Sequence, residues 1–172
     1  MTAAAKWAPP TTKTAREAGG DSDDRRTPIE LFREIERRWG WGGFTIDGAA
    51  SAANRLCDWW IGPDSIVSSD FLSWPTGRIH AARVFLNPPW GNIGPFLDRS
   101  IEIVHGCPLV ERVVMLVPAR TTMPWFGLAE RWGRIHTIEG RVAYGGGANK
   151  KQPFEHSVVV VFERRLVAGD FR

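Results

Sequence analysis

The unbroken apolar run Val113-Val114-Met115-Leu116-Val117, stopped by Pro118, constrains the fold of this chain more than any other stretch. A strand wetted on one face alternates apolar with polar residues, so five consecutive large apolar side chains need cover on both faces. A helix that can supply cover lies just upstream, over residues 95–105, where Phe96, Leu97, Ile101 and Val104 recur at helical spacing. Before that helix, Val84-Phe85-Leu86 is a second short apolar strand, ending at Asn87. Strand, helix and strand in this order make a right-handed parallel crossover and therefore an α/β layered fold.

The flanking segments extend this frame. Thr27-Pro28-Ile29-Glu30 has the form of a capping box, with Thr27 as N-cap and Pro28 at the first helical position. The helix it opens is expected to reach Trp39, with Leu31, Phe32, Ile35 and Trp39 on its inner face and Gly40, Gly42 and Gly43 ending it. Phe44-Thr45-Ile46 is a short strand that delivers Asp47 into the small-residue turn Gly48-Ala49-Ala50-Ser51, after which a further helix is expected to start. Residues 122–132 form another expected helix, closed by Gly133. The remainder changes character: one or two strands over 135–144, a glycine loop at 145–147 and an apolar strand over 157–162. The sheet is thus expected to be mostly parallel with antiparallel C-terminal strands. A chain of 172 residues holds one core, expected over 25–172, and residues 1–24, without apolar periodicity, are expected to be a flexible tail.

Bulk properties narrow the chemistry only slightly. Nine Trp against one Tyr supply many flat rings, suited to base stacking and to a core alike, and a net charge of +3 permits contact with phosphates without requiring it. Cys57 and Cys107 lie far apart, and the four histidines share no spacing, so neither a disulfide framework nor a metal site is expected. No apolar run approaches the roughly 18 residues of a membrane span, and a cytoplasmic protein is expected.

Chemistry concentrates at strand ends, where ligands of open α/β sheets bind. Asn87-Pro88-Pro89-Trp90 follows the strand 84–86 directly. An amino group conjugated to a ring or a carbonyl is a poor nucleophile, because its lone pair is delocalised. Two acceptors that hold its hydrogens can turn that lone pair towards an electrophile. The Asn87 side-chain oxygen and the Pro88 carbonyl are such acceptors, the prolines stiffen the loop that carries them, and Trp90 offers a face for an extruded base. The plainer alternative is that the prolines stop a strand and Trp90 packs in the core. Asp47 serves equally as a turn former or, with Gly48 and Ala49 permitting close approach, as the partner of a charged amino-acid end of a methyl donor. Asp70 is either a solvated loop carboxylate or an acceptor for the donor's adenine amino group. Arg120, beyond the run 113–117, and Arg141, Lys150 and Lys151 in the glycine-containing segment 141–151 are candidate phosphate contacts or simply solvated charges.

Taken together, Thr27-Pro28, Phe44 to Ser51 with Asn54, Asp70, Trp74, Phe85 to Trp90, Leu116 to Arg120, Trp125-Phe126 and Gly140-Arg141 resemble the phage-type DNA N6-adenine methyltransferase (Dam) family, over about residues 26–162. The resemblance implies a Rossmann-like class I fold, S-adenosylmethionine as donor and adenine N6 of double-stranded DNA as acceptor, in a protein expected to act as a monomer. It also implies that Thr27, Pro28, Asp47, Gly48, Ala49 and Asp70 line the donor pocket, while Asn87, Pro88, Pro89 and Trp90 hold the target adenine. Two features depart from the wider pattern: a Gly-x-Gly loop is missing, and Trp90 stands where Tyr is commoner, which keeps a ring and removes a hydroxyl. The same tetrapeptide also serves methyl transfer to RNA or to protein glutamine, and a silent nucleic-acid-binding homologue is the alternative of another class.

Overall fold

The computed structural model describes residues 25–76, 82–145 and 154–164. The expected tail, the tip of the glycine loop, and Lys150 and Lys151 lie outside them. In chain order the elements are α1 (Ile29–Trp39), β1 (Ile46–Asp47), β2 (Trp59–Trp60), β3 (Ala82–Leu86), α2 (Ile93–Gly106), β4 (Val110–Pro118), α3 (Pro124–Trp132), β5 (Arg134–Thr137), β6 (Val142–Ala143), β7 (Phe154–Glu155) and β8 (Ser157–Glu163).

Six strands form one sheet in the order β2-β1-β3-β4-β8-β5, and β6 pairs separately with β7. The pairs β1–β2, β1–β3 and β3–β4 are parallel, whereas β8 runs antiparallel to both β4 and β5. This is the mixed α/β sheet expected from the crossover of β3, α2 and β4. Because the chain leaves β1 towards β2 on one side and β3 towards β4 on the other, strand order switches between β1 and β3. A crevice opens at the carboxyl ends there.

At β4 both faces of the sheet are dry, as the apolar run required: from Val113 to Val117 every residue is buried. The two-residue pleat sends neighbouring side chains of β3 to opposite layers. The ring of Phe85 meets Phe32 of α1 edge-on at 5.1 Å and Phe44 at 5.6 Å. Val84 and Leu86 pack instead towards Gly48 and Phe71, and Phe71 stacks on Phe96 of α2 at 5.7 Å. Burying each such ring contributes about 1.5–3 kcal/mol, enough to hold the short strands β1 and β3 in register.

Two local expectations are corrected. Thr27 does not cap α1: the helix starts at Ile29, its N-cap is Pro28, and no side chain bonds to its first turn, so the capping box with Glu30 is not formed. The Thr27 hydroxyl is engaged elsewhere, as described below. Nor does a helix follow Ser51. Its N–H and hydroxyl both reach Asn54 Oδ1, at 2.7 and 3.0 Å, and the Leu56 N–H donates to Asp47 at 3.0 Å. These side-chain acceptors take donors that a helix would need, and the chain turns into β2 instead. No helix among the described residues is long and apolar enough to cross a membrane.

Candidate active site

The ends of β1 and β3 each contribute one polar side chain to the crevice. Ile46 is fully buried, and its successor Asp47 is carried to the carboxyl edge of β1 while remaining only 4% exposed. Its carboxylate accepts the Leu56 N–H at 3.0 Å and, more weakly, the Ala49 N–H at 3.4 Å. Burial pushes its pKa up to about 6, against the lowering effect of those two bonds. The crevice is a cavity of about 260 Å³. Asp47, Gly48, Ala49, Ser51 and Asn54 form one wall, and Ile61, Gly62, Asp70 and Phe71 form another. Asn87, Pro89, Phe96 and the segment Arg25 to Thr27 complete it.

Asn87 follows the buried Leu86 at the end of β3. Its amide nitrogen donates to the Arg25 carbonyl at 2.7 Å and to Thr27 Oγ1 at 3.1 Å, while its oxygen accepts the Trp90 indole N–H at 3.3 Å. A carbonyl only accepts and an indole N–H only donates, so these partners permit a single orientation of the amide. Pro89 closes the next turn by accepting the Asn92 N–H at 2.9 Å, which ties the tetrapeptide to the start of α2.

Trp90 does not open onto the cavity. It is 5% exposed, with Tyr144 edge-on to its ring at 4.9 Å and the Arg25 guanidinium 4.5 Å from its centre. A base stacking on that ring must take the place of a neighbour already there. Of the other expected site residues, Thr27, Asp47, Gly48, Ala49, Asp70, Asn87 and Pro89 line one cavity. Pro28 stands at the head of α1 and Pro88 is buried beside β3, both away from that lining. Arg120 is exposed beyond β4, with its guanidinium 5.8 Å from the Trp90 ring, and Arg141 is exposed before β6. Among the described residues no group of three or more His, Cys, Asp or Glu comes together.

Sequence reasoning missed Arg25, Gly62, Phe71 and Phe96 as parts of the site. Gly62 carried a signal, a glycine directly after an aromatic and aliphatic run. It adopts φ +152°, and a Cβ there would lie 1.8 Å from the Ala50 carbonyl oxygen, so only glycine lets the loop after β2 close against the loop after β1. Phe71 and Phe96 were indistinguishable from core residues until their stacked pair formed a cavity wall.

Comparison with curated proteins finds no match. Twelve chains of solved structures match, among them 23S rRNA methyltransferase ErmE, at 13% identity and a TM-score of 0.46. That alignment covers 88% of this chain and 66% of the ErmE chain, so this chain spans a little under two thirds of ErmE. Among protein families, DNA N-6-adenine-methyltransferase (Dam) matches residues 12–168, a span that contains Asp47, Asp70 and the whole tetrapeptide. The chain belongs to the DNA N-6-adenine-methyltransferase (Dam) family.

Proposed function

We propose that this protein is a class I, Rossmann-like, site-specific methyltransferase that transfers a methyl group from S-adenosylmethionine to adenine N6 in double-stranded DNA. The observation that carries the reading is the position of Asn87-Pro88-Pro89-Trp90 at the carboxyl end of β3, beside the cavity that holds Asp47 and Asp70. The residues fit the donor: a buried carboxylate with a raised pKa, offset only by backbone N–H groups, suits a cationic amino group, and Phe71 and Phe96 give an apolar wall for a flat ring. When bound, the donor supplies an electrophilic methyl group on sulfur.

The chain's own residues do the rest. Asp47 holds the amino-acid end, Gly48 and Ala49 allow close approach, and Asp70, whose Oδ1 accepts the Leu72 N–H at 3.0 Å, receives the adenine amino group of the donor. The Asn87 oxygen and the Pro88 carbonyl accept the two hydrogens of the target amino group and turn its lone pair towards the methyl carbon. Arg120 and Arg141 meet phosphates, as do Lys150 and Lys151, and position the duplex without reading its bases.

The test is methyl transfer from labelled donor to duplex DNA, RNA and glutamine peptides by wild type and Asn87→Ala. Transfer to adenine in DNA is expected. Asn87→Ala is expected to lose at least about a hundredfold in single-turnover rate, about 3 kcal/mol, with donor affinity little changed. A folded Asn87→Ala protein working at the wild-type rate would end the catalytic reading.

A further inference from the structure

A threonine directly before a helix ordinarily spends its hydroxyl on the helix's first N–H groups. Thr27 does not: α1 has no side-chain cap, and Thr27 Oγ1 instead accepts from the amide of Asn87, sixty residues away. The segment that carries it is anchored. Arg26 and Gly145 exchange backbone hydrogen bonds at 2.6 and 3.0 Å, which pins the chain just before Thr27. Pro28, at φ −58°, restricts the backbone just after it.

The Asn87 amide is therefore held on both sides. Its two hydrogens go to the Arg25 carbonyl and Thr27 Oγ1, and the Trp90 indole N–H occupies one lone pair of its oxygen. The other lone pair is left to meet a donor hydrogen. Flipping the amide would set NH₂ against the indole N–H and oxygen against the Arg25 carbonyl, two repulsive pairs. The flipped amide would also face the target amino group with hydrogens, which cannot hold hydrogens.

We propose that Thr27 is a positioning residue for methyl transfer: the Arg25 carbonyl and the Trp90 indole select which way the Asn87 amide faces, and the Thr27 hydroxyl holds the amide in that place, so that its oxygen meets the amino group of the substrate. The assignment rests on the reading of Asn87 as acceptor given above. It gives Thr27 a task distinct from contact with the donor, and it explains the missing cap of α1. Of the lock's two acceptors, the Arg25 carbonyl is backbone and survives any substitution, so the Thr27 hydroxyl is the one a point change can remove.

The experiment compares Thr27→Val, which keeps the shape and deletes the hydroxyl, with Thr27→Ser, which keeps the hydroxyl. Thr27→Ala serves as the second deletion should valine impair folding. Thr27→Val is expected to slow single-turnover methylation of a duplex by roughly ten- to hundredfold at saturating donor, with donor Kd within about twofold, and Thr27→Ser to restore most of the rate. A second readout needs no turnover. The chain has four Asn and one Gln, so the side-chain amide resonances of ¹⁵N-labelled protein are few, and Asn87→Ala identifies the Asn87 pair. Those resonances are expected to exchange slowly with solvent in wild type and faster in Thr27→Val. An unchanged rate, a loss fully recovered by raising donor concentration, or Asn87 resonances indifferent to Thr27→Val would each overturn the lock. Wild-type protein that transfers nothing to adenine would sink the catalytic reading instead, and the amide resonances would still decide whether Thr27 holds Asn87.

Discussion

At 4% exposure the Asp47 carboxylate has lost nearly all its hydration, and two backbone N–H groups return only part of it. Its pKa accordingly rises from 3.8 to about 6. Between those values the folded state keeps a proton that the unfolded chain has given up, so stability falls as pH rises through the window and is constant above it. The span corresponds to about 3 kcal/mol, fully present below pH 4 and lost by about pH 7. Replacing Asp47 with Asn is expected to flatten this slope, and denaturation midpoints from pH 4 to 8 for both proteins check it. Parallel curves would show that Asp47 titrates normally in the fold. If the donor's amino group lies against this carboxylate, donor affinity rises with pH through the same window, because a cation favours the ionised form. The residue was visible in the sequence as a polar side chain ending a strand. Its raised pKa was not, because that depends on how completely the loop from Ala49 to Leu56 seals it.

At the scale of elements, the site is made where short strands stop and loops touch. The loop after β2 reaches the loop after β1 only because Gly62 lacks a side chain: the Ile61 carbonyl accepts the Ala50 N–H at 3.0 Å, and the Gly62 N–H donates to the Ser68 carbonyl at 3.0 Å. Gly62→Ala places a methyl group against the Ala50 carbonyl oxygen at a φ that L residues rarely adopt, so the two loops must part. A loss of about 1–3 kcal/mol in stability is expected, with a larger proportional loss of donor binding, because both loops wall the cavity. Melting and calorimetry on Gly62→Ala decide it, and an unchanged donor Kd would separate these loops from the binding site. β2 and the turn before it escaped sequence reasoning for a related reason. Ser51 and Asn54 bond to each other, and the pattern that suggested a helix was overruled by bonds visible only once Asp47 and Leu56 are seen together.

Across the whole molecule, Arg112 ties three elements that are distant in sequence. It is 1% exposed in β4, donates to the Trp39 carbonyl at the end of α1 at 2.6 Å, and pairs with Glu163 at the end of β8 at 2.7 Å. Burial disfavours its charge while Glu163 supports it. Glu163 is half-buried and Arg112 keeps the Trp39 carbonyl, so Glu163→Ala, which takes the carboxylate from a buried guanidinium, is expected to cost about 1.5–3 kcal/mol. Arg112→Met with Glu163→Leu is expected to be nearer to wild type. Chemical denaturation of the three proteins checks the ordering, and a Glu163→Ala midpoint equal to wild type would show that the pair contributes little.

The sequence by itself determined the layers. A continuous apolar run needs two dry faces, and a helix between two strands needs a parallel crossover, so β3, α2 and β4 were readable from periodicity and chain order. The motif behind the proposed reaction was also readable, because Asn87-Pro88-Pro89-Trp90 stands directly after the apolar run that forms β3. Only the tertiary structure decided how those groups are oriented. Hydrogen bonds from Asn87 to Thr27 and from Trp90 to Asn87 depend on where α1, β3 and the C-terminal strands meet, and no local pattern encodes that meeting. Thr27, which looked like a helix cap, became a partner of the candidate catalytic amide because an acceptor was needed there and the strap from Arg25 to Thr27 was already held by Gly145.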